Sequence, residues 1–182
     1  TQTASQEFTA VVDQHYGVTL SVDSDSKQSK PGEDVDFIFN ITNTGNGQDN
    51  YILSVSGPAV WNPVLSQNVS SISAVSVSQF TMTVSIPSDR DAGASSGDIV
   101  VTVVSSDGLS TANNTVSVMS SQVYDIGLDH VSGSDGSVSV TQETQILLKL
   151  NVTNNGNGID TLNLTMTNAP SWASLGADTM QI

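Results

Sequence analysis

The feature that most constrains the fold is an internal repeat. The stretch Phe39-Asn40-Ile41-Thr42-Asn43-Thr44-Gly45-Asn46-Gly47 returns 111 positions later as Leu150-Asn151-Val152-Thr153-Asn154-Asn155-Gly156-Asn157-Gly158. At the same spacing Asp49 matches Asp160, Leu53 matches Leu164 and Trp61 matches Trp172. Upstream, Tyr16 matches Tyr124 at a spacing of 108. A period of about 110 residues is too long for a small solenoid repeat and is the size of an immunoglobulin-like sandwich.

The repeat frame sets the expected boundaries. Residues 16–122 read as one complete unit, and residues 123–182 as the N-terminal half of a second, with Ile182 falling opposite Ser71. Residues 1–15 read as the last strand of a preceding unit, or a linker, because Phe8–Val12 stand before Tyr16 as Val116–Ser120 stand before Tyr124. Thr1–Glu7 shows no basic segment leading into an apolar one, so the reading is a processed chain or an interior piece of a longer one.

Inside the complete unit the apolar period is two. Val35, Phe37, Phe39 and Ile41 share one face, opposite Asp34, Asp36, Asn40 and Thr42. Phe80, Met82, Val84 and Ile86 alternate with Thr81, Thr83 and Ser85, and Ile99–Val104 is nearly all apolar. Pro31-Gly32, Gly45-Asn46-Gly47, Gly57-Pro58, Pro87 and Asp107-Gly108 punctuate these runs as turns. No stretch of helical length carries a 3.6-residue period. The fold class is therefore all-β: tandem immunoglobulin-like antiparallel β-sandwiches, about seven strands per unit. The expected core is Val35, Phe37, Phe39, Ile41, Leu53, Phe80, Met82, Val84, Val101 and Val103. With no cysteine, no disulfide can join the sheets.

Composition excludes several function classes. Eighteen acidic and four basic side chains give a formal charge of −14. Such a chain lacks the basic footprint that nucleic acid or an anionic membrane surface requires. No apolar run approaches a membrane span, so direct membrane insertion is not expected. Two histidines, His15 and His130, cannot build a multi-histidine metal cage and read as linker residues near the unit junctions. No nucleophile elbow, phosphate loop or His-Glu-x-x-His is present, and nothing marks one carboxylate pair among the fifteen aspartates as catalytic. The expectation is no enzyme and no cofactor.

Four kinds of candidate site remain. The Asn-Gly loops at 43–50 and 154–160 are oxygen-rich, and Asp49 and Asp160 with Asp23 and Asp25 are the calcium candidates. The preferred reading of the loops is a metal-free turn, with glycines at positive φ and asparagines bonding their own backbone. The loop Ser132–Gly136 reads as solvated. Trp61 and Trp172 are sugar-stacking candidates, although their equivalent positions favour a structural role closing one end of each sandwich. Five glycosylation sequons occur, at Asn40, Asn68, Asn113, Asn151 and Asn163.

These motifs resemble a known family pattern. Asn43-Thr44-Gly45-Asn46, Asp49, Pro58, Trp61, Ile86-Pro87 and Asp98–Ser105 are similar to the immunoglobulin-like CARDB modules (cell-adhesion-related domain in bacteria) and to the related module beside carbohydrate-binding domains of α-galactosidases. The second unit repeats the pattern with Asn154-Asn155-Gly156-Asn157, Asp160, Pro170 and Trp172. The resemblance implies a non-catalytic structural or adhesive repeat of an extracellular surface protein or filament, many such proteins being archaeal glycoproteins. The alternative it implies is an accessory carbohydrate-binding module of a secreted glycosidase. Expected partners are neighbouring copies or adjacent domains of the same protein, and glycans in the alternative. The Asp-rich, Lys-poor balance suits a saline medium, where salt screens self-repulsion. Leu148, Leu150, Val152, Leu162 and Leu164 are expected to form an uncovered apolar face in the second unit.

Overall fold

The computed structural model of the chain describes residues 1–131, 139 and 141–182. The loop read at Ser132–Gly136 lies outside the described residues. Residues 18–120 form a two-layer β-sandwich. One sheet holds β1 (Val18–Val22), β3 (Asp34–Asn43), β7 (Val77–Ser85) and β5 (Val64–Leu65), in the order β1-β3-β7-β5. The other holds β2 (Ser26–Ser29), β9 (Thr111–Ser120), β8 (Ile99–Ser105), β4 (Asp49–Ser56) and β6 (Val69–Ile72), in the order β2-β9-β8-β4-β6.

The alternation read from sequence sets the register. Phe37 pairs with Met82 and Phe39 with Phe80 across β3 and β7. The two phenyl rings stack with centroids 5.2 Å apart. All ten expected core residues are buried, and Tyr51, Trp61, Ile72, Ile86, Ile99, Val116 and Val118 join them. Phe37 and Phe39 are fully enclosed, whereas Ile38 on the opposite face is 39% exposed. A one-residue slip would exchange these faces, so burial of the phenylalanines fixes the pairing.

Two details depart from the sequence reading. The sandwich has nine strands: the first strand divides at Asp23-Ser24-Asp25, its second half crossing to the other sheet, and the two-residue β5 adds an edge strand. That half, β2, pairs with β9 in parallel, so the sheet is not wholly antiparallel. The crossing is pinned by Asp23, whose Oδ1 accepts the Ile38 amide at 3.1 Å. Its Oδ2 receives the Lys27 ammonium at 2.6 Å, and Lys27 also lies over the Phe37 ring at 5.0 Å. The Lys27 ammonium holds the Asp23 carboxyl below its ordinary range.

Residues 1–17 form no strand, and Phe8, Val11 and Val12 are each more than 80% exposed. After the sandwich, β10 (Ile126–His130) pairs with β11 (Leu150–Asn154), and β12 (Thr161–Asn163) pairs with β13 (Thr179–Gln181). These repeat the β1–β3 and β4–β6 pairings. Of the apolar face expected there, Leu148 and Leu150 are exposed and Val152 and Leu164 half-buried. Leu162 departs from the expectation: it is buried, lying opposite Met180 in the β12–β13 pair. His130 is the last residue of β10, not part of a linker.

The register generates a direct test. Phe37→Ala empties a fully enclosed site and is expected to cost about 3–5 kcal/mol of unfolding free energy. Ile38→Ala on the outer face is expected to cost less than about 1 kcal/mol. Denaturant titration of both variants checks the difference.

Candidate functional site

The two Asn-Gly loops, the strongest repeated feature of the sequence, each carry a network of side-chain to backbone hydrogen bonds. Each begins with a buried or half-buried asparagine at the end of a strand. Asn43 donates through Nδ2 to the carbonyls of Gly47 (2.9 Å) and Ile72 (3.0 Å), and its Oδ1 accepts the Gly45 amide (2.8 Å). Asn154 does the same with Gly158 (2.8 Å), Ile182 (3.0 Å) and Gly156 (2.9 Å). Ile182 is therefore the counterpart of Ile72, one residue earlier than the 111-residue spacing predicts, because Ile182 follows Trp172 by ten positions whereas Ile72 follows Trp61 by eleven. Each carboxamide thus satisfies the backbone groups that close its own loop.

The glycines have a different reason from the one expected. Positive φ among the described glycines occurs at Gly32, Gly93, Gly97 and Gly108, and none of these lies in the Asn-Gly loops. A Cβ on Gly45 would collide with the carbonyl oxygen of His15, and one on Gly156 with that of Val123. Glycine is required because the incoming chain segment lies directly against the loop.

That segment is held by the second asparagine of each motif. Asn157 Oδ1 accepts the Val123 amide at 2.7 Å, and Nδ2 donates to the Ser121 carbonyl at 3.0 Å. Asn157 also reaches back into the first sandwich. Its Nδ2 donates to the Arg90 carbonyl at 3.1 Å, and its own carbonyl accepts the Ala92 amide at 2.8 Å. Gly158 lies so near that a Cβ there would stand 2.8 Å from the Ala92 Cβ. Gln122 closes the set, donating to the Ile159 carbonyl at 3.1 Å. One side chain thus ties the connecting segment, the 87–93 loop of the first sandwich and the first loop of the second unit. In the first unit Asn46 grips the segment the same way: Oδ1 accepts the His15 amide at 2.6 Å and Nδ2 donates to the Asp13 carbonyl at 3.0 Å.

The other candidates are dispersed. Asp49 is buried, with Oδ1 accepting the Asn50 amide at 2.7 Å and Oδ2 unpaired. Asp160 accepts the Thr161 amide at 2.7 Å. Asp23 is engaged by Lys27, and Asp25 is exposed. No three acidic, histidine or cysteine side chains gather in metal-binding proximity among the described residues. His15 and His130 are exposed, one on the incoming segment and the other on β10. Trp61 is 3% exposed within the core cluster and offers no open ring face, whereas Trp172 is 85% exposed because no such cluster surrounds it. Of the sequons, Asn68, Asn113, Asn151 and Asn163 are exposed and Asn40 is half-buried.

Sequence reading missed Tyr51 and the Arg90–Ala92 backbone. Tyr51 sits on β4 with its hydroxyl donating to the Gly17 carbonyl at 3.1 Å. Burial, then the nearby Asp49 carboxylate, push its phenol up to about 12. Period-two alternation puts Tyr51 on the same face as Asp49, two residues earlier, which the sequence singled out only as a calcium candidate.

No protein-family model matches the chain, and no curated protein matches it. Among solved structures, the PapD-like domain 7 of human CEP192 aligns with a TM-score of 0.41 at 15% identity, over 56% of this chain and 84% of that one. The C. elegans MSP family member WR4 aligns at 0.37 and 11%, over 56% and 97%. The YadV chaperone aligns at 0.40 and 13%, over 77% and 68%. The fold described above rests on the chain's own sheets.

Two outcomes check this network. Asn157→Ala leaves the Arg90 and Ser121 carbonyls and the Val123 amide without their partner. At about 0.5–1.5 kcal/mol net per hydrogen bond, cleavage of the 120–124 segment by a non-specific protease is expected to accelerate by roughly tenfold or more, with the sandwich core unchanged. Tyr51 has a second signature. The fold favours the neutral phenol, so its contribution is complete below the ordinary tyrosine value of about 10 and is lost as pH rises through about 12. Ultraviolet titration should show a late tyrosinate component that Tyr51→Phe removes.

Proposed function

We propose that the chain is a non-catalytic tandem segment of an extracellular surface protein, of the kind its resemblance to CARDB modules implies, working in spacing, assembly or adhesion. The observation that carries this reading is the Asn157 junction. A chain that devotes its most repeated motif to gripping the segment between units is organised around holding units in sequence. The acidic surface supports a soluble, salt-tolerant exterior, since net charge of one sign keeps molecules apart and saline medium screens it. Its partners are then adjacent units or neighbouring copies, and the exposed sequons carry glycans where the source cell modifies them. No calcium is required in this account, because each Asn-Gly loop is closed by its own amide groups.

A second reading, the accessory carbohydrate-binding module, is favoured by one observation: the open indole of Trp172. Retention on a glycan array, abolished by Trp172→Ala, would support it over the structural reading.

Surface digestion of intact source cells tests the leading proposal. Peptides from the 57–63 and 106–110 connections are expected in the released fraction before lysis. Their appearance only after lysis would overturn the extracellular assignment.

A further inference from the structure

The two Asn-Gly loops are alike in what they do to the segment before them and unlike in what lies beyond it. Asn157 is half-buried and makes two contacts on the first sandwich, to the Arg90 carbonyl and from the Ala92 amide. Asn46 makes the same contacts to its incoming segment but is exposed. Among the described residues the Asn46 carbonyl and its second Nδ2 hydrogen have no partner. Gly47 differs from Gly158 in its neighbour as well. A Cβ on Gly158 would stand 2.8 Å from Ala92, whereas the nearest atoms to one on Gly47 belong to the Gln14 side chain, a flexible group that an incoming loop can displace.

We infer that the surface around Asn46 and Gly47 is a docking socket for the 87–93 loop of another unit built like the first sandwich. The chemistry of the occupant is specified by the filled junction. It must offer one backbone carbonyl to Asn46 Nδ2 and one backbone amide to the Asn46 carbonyl. It must also carry a small side chain against Gly47, as Arg90 and Ala92 do for Asn157 and Gly158. A second observation points to the same occupant. Phe8, Ala10 and Val12 stand, at the 108-residue spacing, where Val116, Val118 and Ser120 stand in β9. Those three β9 residues are at most 1% exposed, while residues 8, 10 and 12 lie in solvent. The segment therefore carries the pattern of a closing strand, and the strand it matches ends beside the 87–93 loop, where the Gly93 amide donates to the Ser120 carbonyl at 2.8 Å. A unit closed by such a strand would bring its own loop onto Asn46.

This inference rests on the tandem reading above but not on where the protein is located. The test is an extended chain in which residues 13–120 occur twice in tandem, so that residue 120 of the first copy runs into residue 13 of the second. The first copy alone is isotopically labelled. Hydrogen exchange of its Ala92 amide is expected to be slow. Asn46→Ala in the second copy keeps the backbone carbonyl that accepts the Ala92 amide but removes the side-chain bonds that hold the loop against it, so easier opening of the junction is expected to speed exchange by about tenfold or more. In the 182-residue chain, Asn157→Ala is expected to do the same to its Ala92. If Asn157→Ala speeds exchange but Asn46→Ala does not, the socket is refuted while the natural junction stands. If neither does, the clamp itself is refuted. A negative surface-digestion result would leave both outcomes unchanged.

Discussion

The connection between the sandwich and the strands that follow it centres on one interaction, the carboxamide of Asn157 bridging the segment between units. A carboxamide offers an acceptor and two donors on one rigid plane. Here the acceptor takes the Val123 amide, while the donors reach Ser121 and Arg90 on the other side. Aspartate would lose both donors and a hydroxyl side chain could not span the gap. The flanking glycines follow from the same contact, since only a residue without Cβ lets the segment lie against the loop. The motif Asn-x-Gly-Asn-Gly is thus one device: the first asparagine sets the loop, the glycines open room, and the second asparagine grips the connection.

The sandwich supplies a firm base for that device. The 87–93 loop that Asn157 touches is itself tied to β9 through Gly93 and Ala94, and β9 is enclosed by β8 and β2. The core behind them is apolar and closely paired, with Phe39 on Phe80 and Val116 and Val118 fully buried. No disulfide shares the task. At one edge Lys27, one of four basic residues, is used three times: on Asp23, on the Asp36 carbonyl at 2.5 Å and over Phe37. In so acidic a chain the scarce cation is placed where it closes the core and anchors the strand crossing.

Much of this was legible in the sequence, for a physical reason. Period-two alternation is dictated by the pleat, so Val35 to Ile41 and Phe80 to Ile86 announced both their strands and their buried face. The repeat announced the loops and their equivalence. What alternation cannot encode is where the chain leaves one sheet for another. The crossing at Asp23-Ser24-Asp25 depends on a carboxylate meeting the Ile38 amide fifteen residues away. The role of the glycines was equally hidden, because a glycine kept for close approach looks the same in sequence as one kept for positive φ. Trp61 and Trp172 share a motif position but not an environment: one is enclosed by a core cluster and the other is not. Position in a repeat conveys burial only when the surrounding strands are repeated too.

The central claim is that the Asn157 clamp joins the first sandwich and the following strands into one body. Backbone ¹⁵N relaxation on the 182-residue chain measures this most directly, by comparing rotational correlation times for β3 and β7 with those for β11 and β12. The account predicts one shared correlation time and one diffusion tensor for both sets. Distinctly faster tumbling of β11 and β12 in the unmodified chain would contradict it.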